Sequence, residues 1–124
     1  MIHHIGFQSL PVTDQDRALA FYRDVLGFRV QTDAPYEDDW RWIFLTLPGA
    51  QTRLHFARAD EITVKDKPAL CLVCDDVDAD VPGWRDKGAE IVNAPQNAPW
   101  QPGTRWATLR DPEGNLIFVE SKVA

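Results

Sequence analysis

The chain has 124 residues, 44% hydrophobic and 26% charged, which is the balance of an ordinary soluble globular protein of single-domain length. A formal charge of −6 disfavours nucleic acid, whose phosphates require a concentrated basic surface. No apolar run is long enough to span a bilayer, and the N-terminus lacks the charged-apolar-small order of a signal peptide, so a cytoplasmic setting is expected.

Met1 to Leu10 reads as a strand, with Ile5 and Phe7 on one face and His4, Gly6 and Gln8 on the other. Thr13 or Asp14 can cap a helix over Arg17 to Leu26, whose Ala18, Phe21, Tyr22, Val25 and Leu26 fall at helical spacing before Gly27. Phe28 to Thr32 is a predicted strand, and Asp33 to Asp39 an acidic loop containing Pro35. Trp40 to Leu47 and Thr52 to Ala57 then form a hairpin around Pro48-Gly49. Arg58 to Pro68 is polar and aperiodic, as a linker should be. Ala69 to Cys74 is the next strand, a helix runs from the acidic Asp75-Asp76-Val77-Asp78 to Gly88, and Ala89 to Val92 is a strand. Asn93 to Gly103, with three prolines and Trp100, reads as a long loop poised as a lid. Strands over Arg105 to Arg110 and Leu116 to Lys122, joined by a turn at Asp111-Pro112-Glu113-Gly114-Asn115, close the chain.

The order strand, helix, strand, strand, strand therefore occurs twice. Trp40-Arg41-Trp42-Ile43-Phe44-Leu45 aligns with Thr104-Arg105-Trp106-Ala107-Thr108-Leu109, and Leu54-His55-Phe56-Ala57 with Ile117-Phe118-Val119-Glu120. Halves of about sixty residues bury little surface alone, so they are expected to act together, with the functional space between them. The predicted modules are 1–58 and 69–124, joined by a linker at 59–68. Cys71 and Cys74 sit three apart on a predicted strand and so point to opposite faces. They read as two small buried side chains rather than a disulfide or a shared metal site.

Four stretches carry a family resemblance: His4-Ile5-Gly6, the helix Ala20-Phe21-Tyr22-Arg23-Asp24-Val25-Leu26-Gly27-Phe28, Asp75-Asp76-Val77-Asp78-Ala79, and Asp111-Pro112-Glu113-Gly114-Asn115-Leu116-Ile117. Together they resemble the vicinal oxygen chelate superfamily of glyoxalase I, extradiol dioxygenases and bleomycin-resistance proteins. That resemblance implies an α+β fold of two βαβββ modules, whose curved mixed sheets surround a cleft with helices outside. It also implies a homodimer, as is common in such families. Enzymes and pure binders share the superfamily, so fold alone does not choose between them.

Alternation places Ile5, Phe7, Ile43, Leu45, Leu54, Phe56, Leu70, Leu72, Ile117 and Val119 against the helices. The opposite faces then carry His4, Gly6 and Gln8, then Trp40, Trp42, Phe44, Arg53 and His55. From the second half they carry Ala69, Cys71, Trp106, Thr108, Arg110, Phe118 and Glu120. Enzymes of the superfamily hold a divalent metal at positions that the resemblance carries onto His4, His55, Ala69 and Phe118. Two of these can ligate and two cannot. Glu120, two residues beyond Phe118, is the candidate third ligand of a Ni, Zn, Mn or Fe ion, or a general base. The other reading leaves His4 and His55 as cleft histidines hydrogen-bonded to neighbours or ligand.

Trp40, Trp42, Phe44, Trp106 and Phe118, with Trp100 on the loop, offer flat surfaces suited to a planar or aromatic ligand. Ring faces and the acidic Glu37-Asp38-Asp39 would favour a cationic one. Arg53 and Arg110 are the candidate partners of a ligand carboxylate. The expected function is thus small-molecule binding in a tryptophan-rich cleft. The alternative is a metal-dependent lyase or dioxygenase built on His4, His55 and Glu120.

Overall fold

The computed structural model describes residues 1–123, which divide into two compact units, one ending at Ile62 and the other beginning at Thr63. Among the described residues no helix is long and apolar enough to cross a membrane.

The first unit contains β1 (Phe7–Val12), α1 (Gln15–Ala20, running on as a π-helical turn over Phe21–Val25), β2 (Arg29–Glu37), β3 (Trp40–Thr46) and β4 (Arg53–Arg58). The sheet order is β1-β4-β3-β2, with β1 and β4 parallel and the other pairs antiparallel. Asp14 starts the helix, its side chain accepting from Arg17 N at 3.1 Å. Leu10, Val12, Ile43, Leu45 and Phe56 are fully buried. The Tyr22 ring lies 5.8 Å from Phe56 and 5.7 Å from Phe28, so α1 covers this side of the sheet.

The second unit repeats the plan with β5 (Pro68–Val73), α2 (Val77–Asp86), β6 (Glu90–Asn97), β7 (Thr104–Arg110) and β8 (Leu116–Lys122), in the order β5-β8-β7-β6. Asp76 caps α2 by accepting from Asp78 N and Ala79 N. Ser121 Oγ accepts from Val77 N at 3.1 Å, tying the helix start to β8. Ala107, Leu109, Ile117 and Val119 supply the buried side of the sheet, facing Val77 and Val81.

Two expected loops are partly strand. β2 continues through Asp33 to Glu37, and β6 through Asn93 to Asn97, although each contains a proline. Both are edge strands, where a missing N–H costs no ladder bond, and register shifts beside Pro35 and around Asn93 to Gln96 absorb the irregularity. The cysteines are free, as expected, but Cys71 is exposed and Cys74 only half-buried, because β5 is itself an edge strand.

The turn between β7 and β8 is a buried polar knot rather than an exposed loop. Asp111 accepts from Glu113 N, Asn115 N and Asn115 Nδ2 at 2.9–3.0 Å, while Gly114 adopts a φ of 92°. Glu113, within that turn, is only 8% exposed. Removing the acceptor strands several buried donors at once. Asp111→Ala is expected to lower the unfolding free energy by about 3 kcal/mol, against about 1 kcal/mol for Asp76→Ala at the helix cap. Urea unfolding with an unchanged slope measures both, and equal small losses would contradict the knot's role.

Candidate functional site

Each unit turns the side of its sheet away from its helix into a surface of rings, and the two surfaces are built differently. In the first unit, buried Ile43 and Leu45 fix the phase of β3, so Trp42 and Phe44 take the other face. Phe44 pairs with His55 across the β3–β4 ladder. The His55 ring lies 4.3 Å from Trp42, 5.3 Å from Phe7 and 5.8 Å from Phe44. Tyr36 extends the group, 5.1 Å from Trp42.

Phe7 enters this group because β1 has the opposite phase from the one its sequence suggests. Leu10 and Val12 are its fully buried residues, so Phe7 and Ser9 face the rings. The assignment of Ile5 and Phe7 to the helix side is thereby corrected, and Ile5, before the strand, is exposed. His4 also precedes β1 and is exposed. The residue opposite His55 is Ser9, whose Oγ lies 3.1 Å from His55 Nδ1.

His55 is 9% exposed, and burial lowers its pKa from the ordinary imidazole value. Around it stand one hydroxyl and three aromatic rings. This donor set does not fit a catalytic divalent ion, which takes three protein ligands. Among the described residues no three or more His, Cys, Asp or Glu side chains gather where they could hold a metal. Arg53 lies with its guanidinium 4.1 Å over the Phe44 ring, and its Nε donates to the Gly6 carbonyl at 3.3 Å.

Trp40 stands apart from these rings. It is 8% exposed, lies 5.3 Å from the Arg58 guanidinium, and lines a polar cavity of about 490 Å³ with Asp14, Asp16, Arg41 and Asp60.

In the second unit, Trp106 and Phe118 stack at 5.5 Å with an interplanar angle of 10°. Trp100 joins them, 5.5 Å from Trp106 and 6.2 Å from Phe118, and is itself 59% exposed. Buried Ala107 and Leu109 set the phase of β7, as Ile117 and Val119 do for β8. Glu120 pairs with Trp106 and Cys71 with Phe118, so both border the stack. Although Cys71 is exposed, partial desolvation by the surrounding sheet and, next, the Glu120 charge raise its thiol pKa, which makes it a poor nucleophile at neutral pH. Arg110 is committed to structure, donating to the Lys65 and Gly114 carbonyls at 2.5 and 3.0 Å.

Sequence reading placed Trp40, Trp42, Phe44, Trp100, Trp106 and Phe118 in one cleft, whereas the structure groups Trp42, Phe44, Arg53 and His55 on the first sheet and Trp100, Trp106 and Phe118 on the second. It missed Phe7, Ser9 and Tyr36. The Leu10/Val12 pair was the signal for the first two, but Pro11 between them disguises the alternation.

Burial of a neutral His55 has a consequence for stability. The folded state binds this proton less readily than the unfolded state, whose imidazole titrates near 6.5. Its contribution is therefore fully present above about pH 6.5 and is lost as pH falls through that value toward the lower folded pKa. Urea unfolding at pH 7.5 and 5.5 should show a smaller acid loss for His55→Phe than for the natural chain, and equal losses would contradict the assignment.

Comparison with known proteins agrees with this construction. The Glyoxalase/Bleomycin resistance protein/Dioxygenase superfamily matches residues 1–119. TnmS3, an antibiotic binding protein from Streptomyces sp. CB03234, is 33% identical with a TM-score of 0.83, the match covering 98% of this chain and 97% of that one. TioX from Micromonospora sp. ML1 is 28% identical with a TM-score of 0.75, covering 98% and 100%. The uncharacterized YetH of Bacillus subtilis (strain 168) is 25% identical over 97% of this chain and 99% of its own. The repeated βαβββ order, the two mixed sheets and the family match lead to one conclusion: the chain belongs to the Glyoxalase/Bleomycin resistance protein/Dioxygenase superfamily.

Proposed function

We propose that this protein binds a planar aromatic small molecule against its ring-lined sheet faces, as a carrier or sequestering protein rather than a metal-dependent enzyme. The observation that carries this reading is the Trp106–Phe118 stack with Trp100 beside it. Parallel rings on a sheet give a flat apolar platform, and the exposed indole of Trp100 can cover a guest without refolding the module. The group of Phe7, Trp42, Phe44 and His55 adds a second aromatic surface.

The chemistry of the chain supports binding over catalysis. His55 has a hydroxyl and rings as neighbours, not further metal donors. The half-two position aligned with His55 is Phe118, which can stack but cannot ligate. Similarity to an antibiotic binding protein at 33% identity points the same way. Arg53, held over Phe44, adds positive charge to the edge of the first surface and suits an anionic substituent on the guest.

Titrating planar polycyclic compounds against intrinsic tryptophan fluorescence tests the proposal. Saturable quenching is expected, with Trp106→Ala and Trp42→Ala each weakening affinity roughly tenfold by loss of a stacking partner. Trp84→Phe, on α2, should leave affinity unchanged. Absence of saturable binding across the panel, or full affinity in both alanine variants, would overturn it.

A further inference from the structure

One row of residues crosses the first sheet at its end. Arg29 opens β2 and pairs with Thr46, the last residue of β3. One step along the β3–β4 ladder from Leu45–Leu54, Thr46 meets Arg53, the first residue of β4, and Arg53 pairs in turn with Phe7 of β1. Directly paired residues share a face of a sheet, and Thr46 is in phase with Trp42 and Phe44. Both arginines therefore stand on the ring-bearing face, with one strand between them and Cα atoms about 10 Å apart. Thr46, whose hydroxyl donates to the Leu47 carbonyl at 3.4 Å, is the short side chain in the gap.

The charge of this pair is uncompensated. Other arginines are matched with acids: Arg23 with Asp24, Arg41 with Asp16 and Asp33, Arg105 with Asp78. Arg53 instead lies 4.1 Å over the Phe44 ring and donates to a neutral carbonyl, that of Gly6. Among the described residues neither Arg53 nor Arg29 has a carboxylate partner. The adjoining chain offers none, since the β3–β4 turn from Leu47 to Thr52 contains no charged residue. The acidic Glu37-Asp38-Asp39 lies at the other end of the β2–β3 ladder, about 20 Å along β3 from Thr46. Arg29 is exposed and Arg53 half-buried, so both are open to a guest. Like charges on neighbouring strands oppose one another, and an anion received between them relieves that repulsion while accepting two charge-assisted hydrogen bonds.

Resting on the aromatic-ligand reading, we propose that the guest of the first surface is a planar aromatic acid, its rings against Trp42 and Phe44 and its anionic group between Arg53 and Arg29. Arg29 is thereby a specificity residue, although it touches none of the rings. Stacking supplies affinity for any flat molecule, whereas the two guanidiniums distinguish an acid from its neutral analogue. The opposite charges at the two ends of the sheet also orient the guest, with its anionic end toward Thr46.

Affinity at this surface is read from the saturable shift of the Trp42 indole N–H in two-dimensional NMR. The two probes differ in charge and scarcely in shape: 9-fluorenone-2-carboxylate and 9-fluorenone-2-carboxamide. The natural chain should bind the acid on the order of tenfold more tightly than the amide. Raising the salt from about 0.05 to about 0.5 M should shrink that ratio severalfold. Arg53→Gln and Arg29→Gln should each lose part of the preference, and the double variant nearly all of it, with the amide held within about threefold of its affinity for the natural chain. Arg85→Gln, on α2, changes the net charge by as much as either single variant and should leave the ratio unchanged. Equal binding of acid and amide by the natural chain would overturn the anion assignment and leave the aromatic surface standing. A ratio that falls as far in Arg85→Gln would trace the preference to overall charge, and a ratio retained in the double variant would trace it to other groups; either overturns the assignment. No saturable shift with either probe would overturn the aromatic-ligand reading at this surface, and the assignment with it.

Discussion

The constraint on which this structure depends is the two-residue period of a β-strand in a sheet with only one helix to cover it. In each module the helix takes one side, and every strand residue must choose. Ile43, Leu45, Leu54 and Phe56 go under α1, and Ala107, Leu109, Ile117 and Val119 go under α2. The intervening residues are thereby committed to the opposite side, whatever they are. Here they are Trp42, Phe44 and His55 in one module, and Trp106 and Phe118 in the other. The ring-bearing surfaces are thus the complement of the core, and a one-residue slip would exchange them.

The same constraint explains how the two halves diverged in chemistry while retaining one topology. Equivalent ladder positions hold His55 opposite Phe44 in the first module and Phe118 opposite Thr108 in the second. A position that could hold a metal ligand holds an imidazole in one copy and a phenyl ring in the other. Each fits its neighbours: the imidazole bonds Ser9 and lies against Trp42, and the phenyl stacks on Trp106. At these ladder positions rings stand where a further ligating group would be needed, and the proposed binding of a flat molecule rests on them.

Much of this was legible in the chain. The internal repeat announced two βαβββ units, and β3, β7 and β8 could be phased from uninterrupted alternation such as Trp42-Ile43-Phe44-Leu45. Where prolines interrupt, the pattern failed. Pro11 obscured the Leu10/Val12 pair and put β1 in the wrong phase, and Pro35 and Pro95 made the second halves of two edge strands look like loops. Local text could not show that Glu113 is buried, because its burial follows from the Asp111 hydrogen bonds that wind the turn inward. Nor could it show that Trp40, one of two tryptophans two residues apart, leaves the ring group to pack by Arg58.

The five tryptophans provide the most direct test of the claim that function resides on the faces opposite the helices. Their indole N–H resonances, assigned with single Trp→Phe variants, can be followed by two-dimensional NMR as 9-fluorenone-2-carboxylate is added to the intact chain. The account predicts saturable shifts for Trp42, Trp100 and Trp106, with Trp40 and Trp84 unmoved. Shifts confined to Trp40 or Trp84 would place the binding surface elsewhere and contradict it.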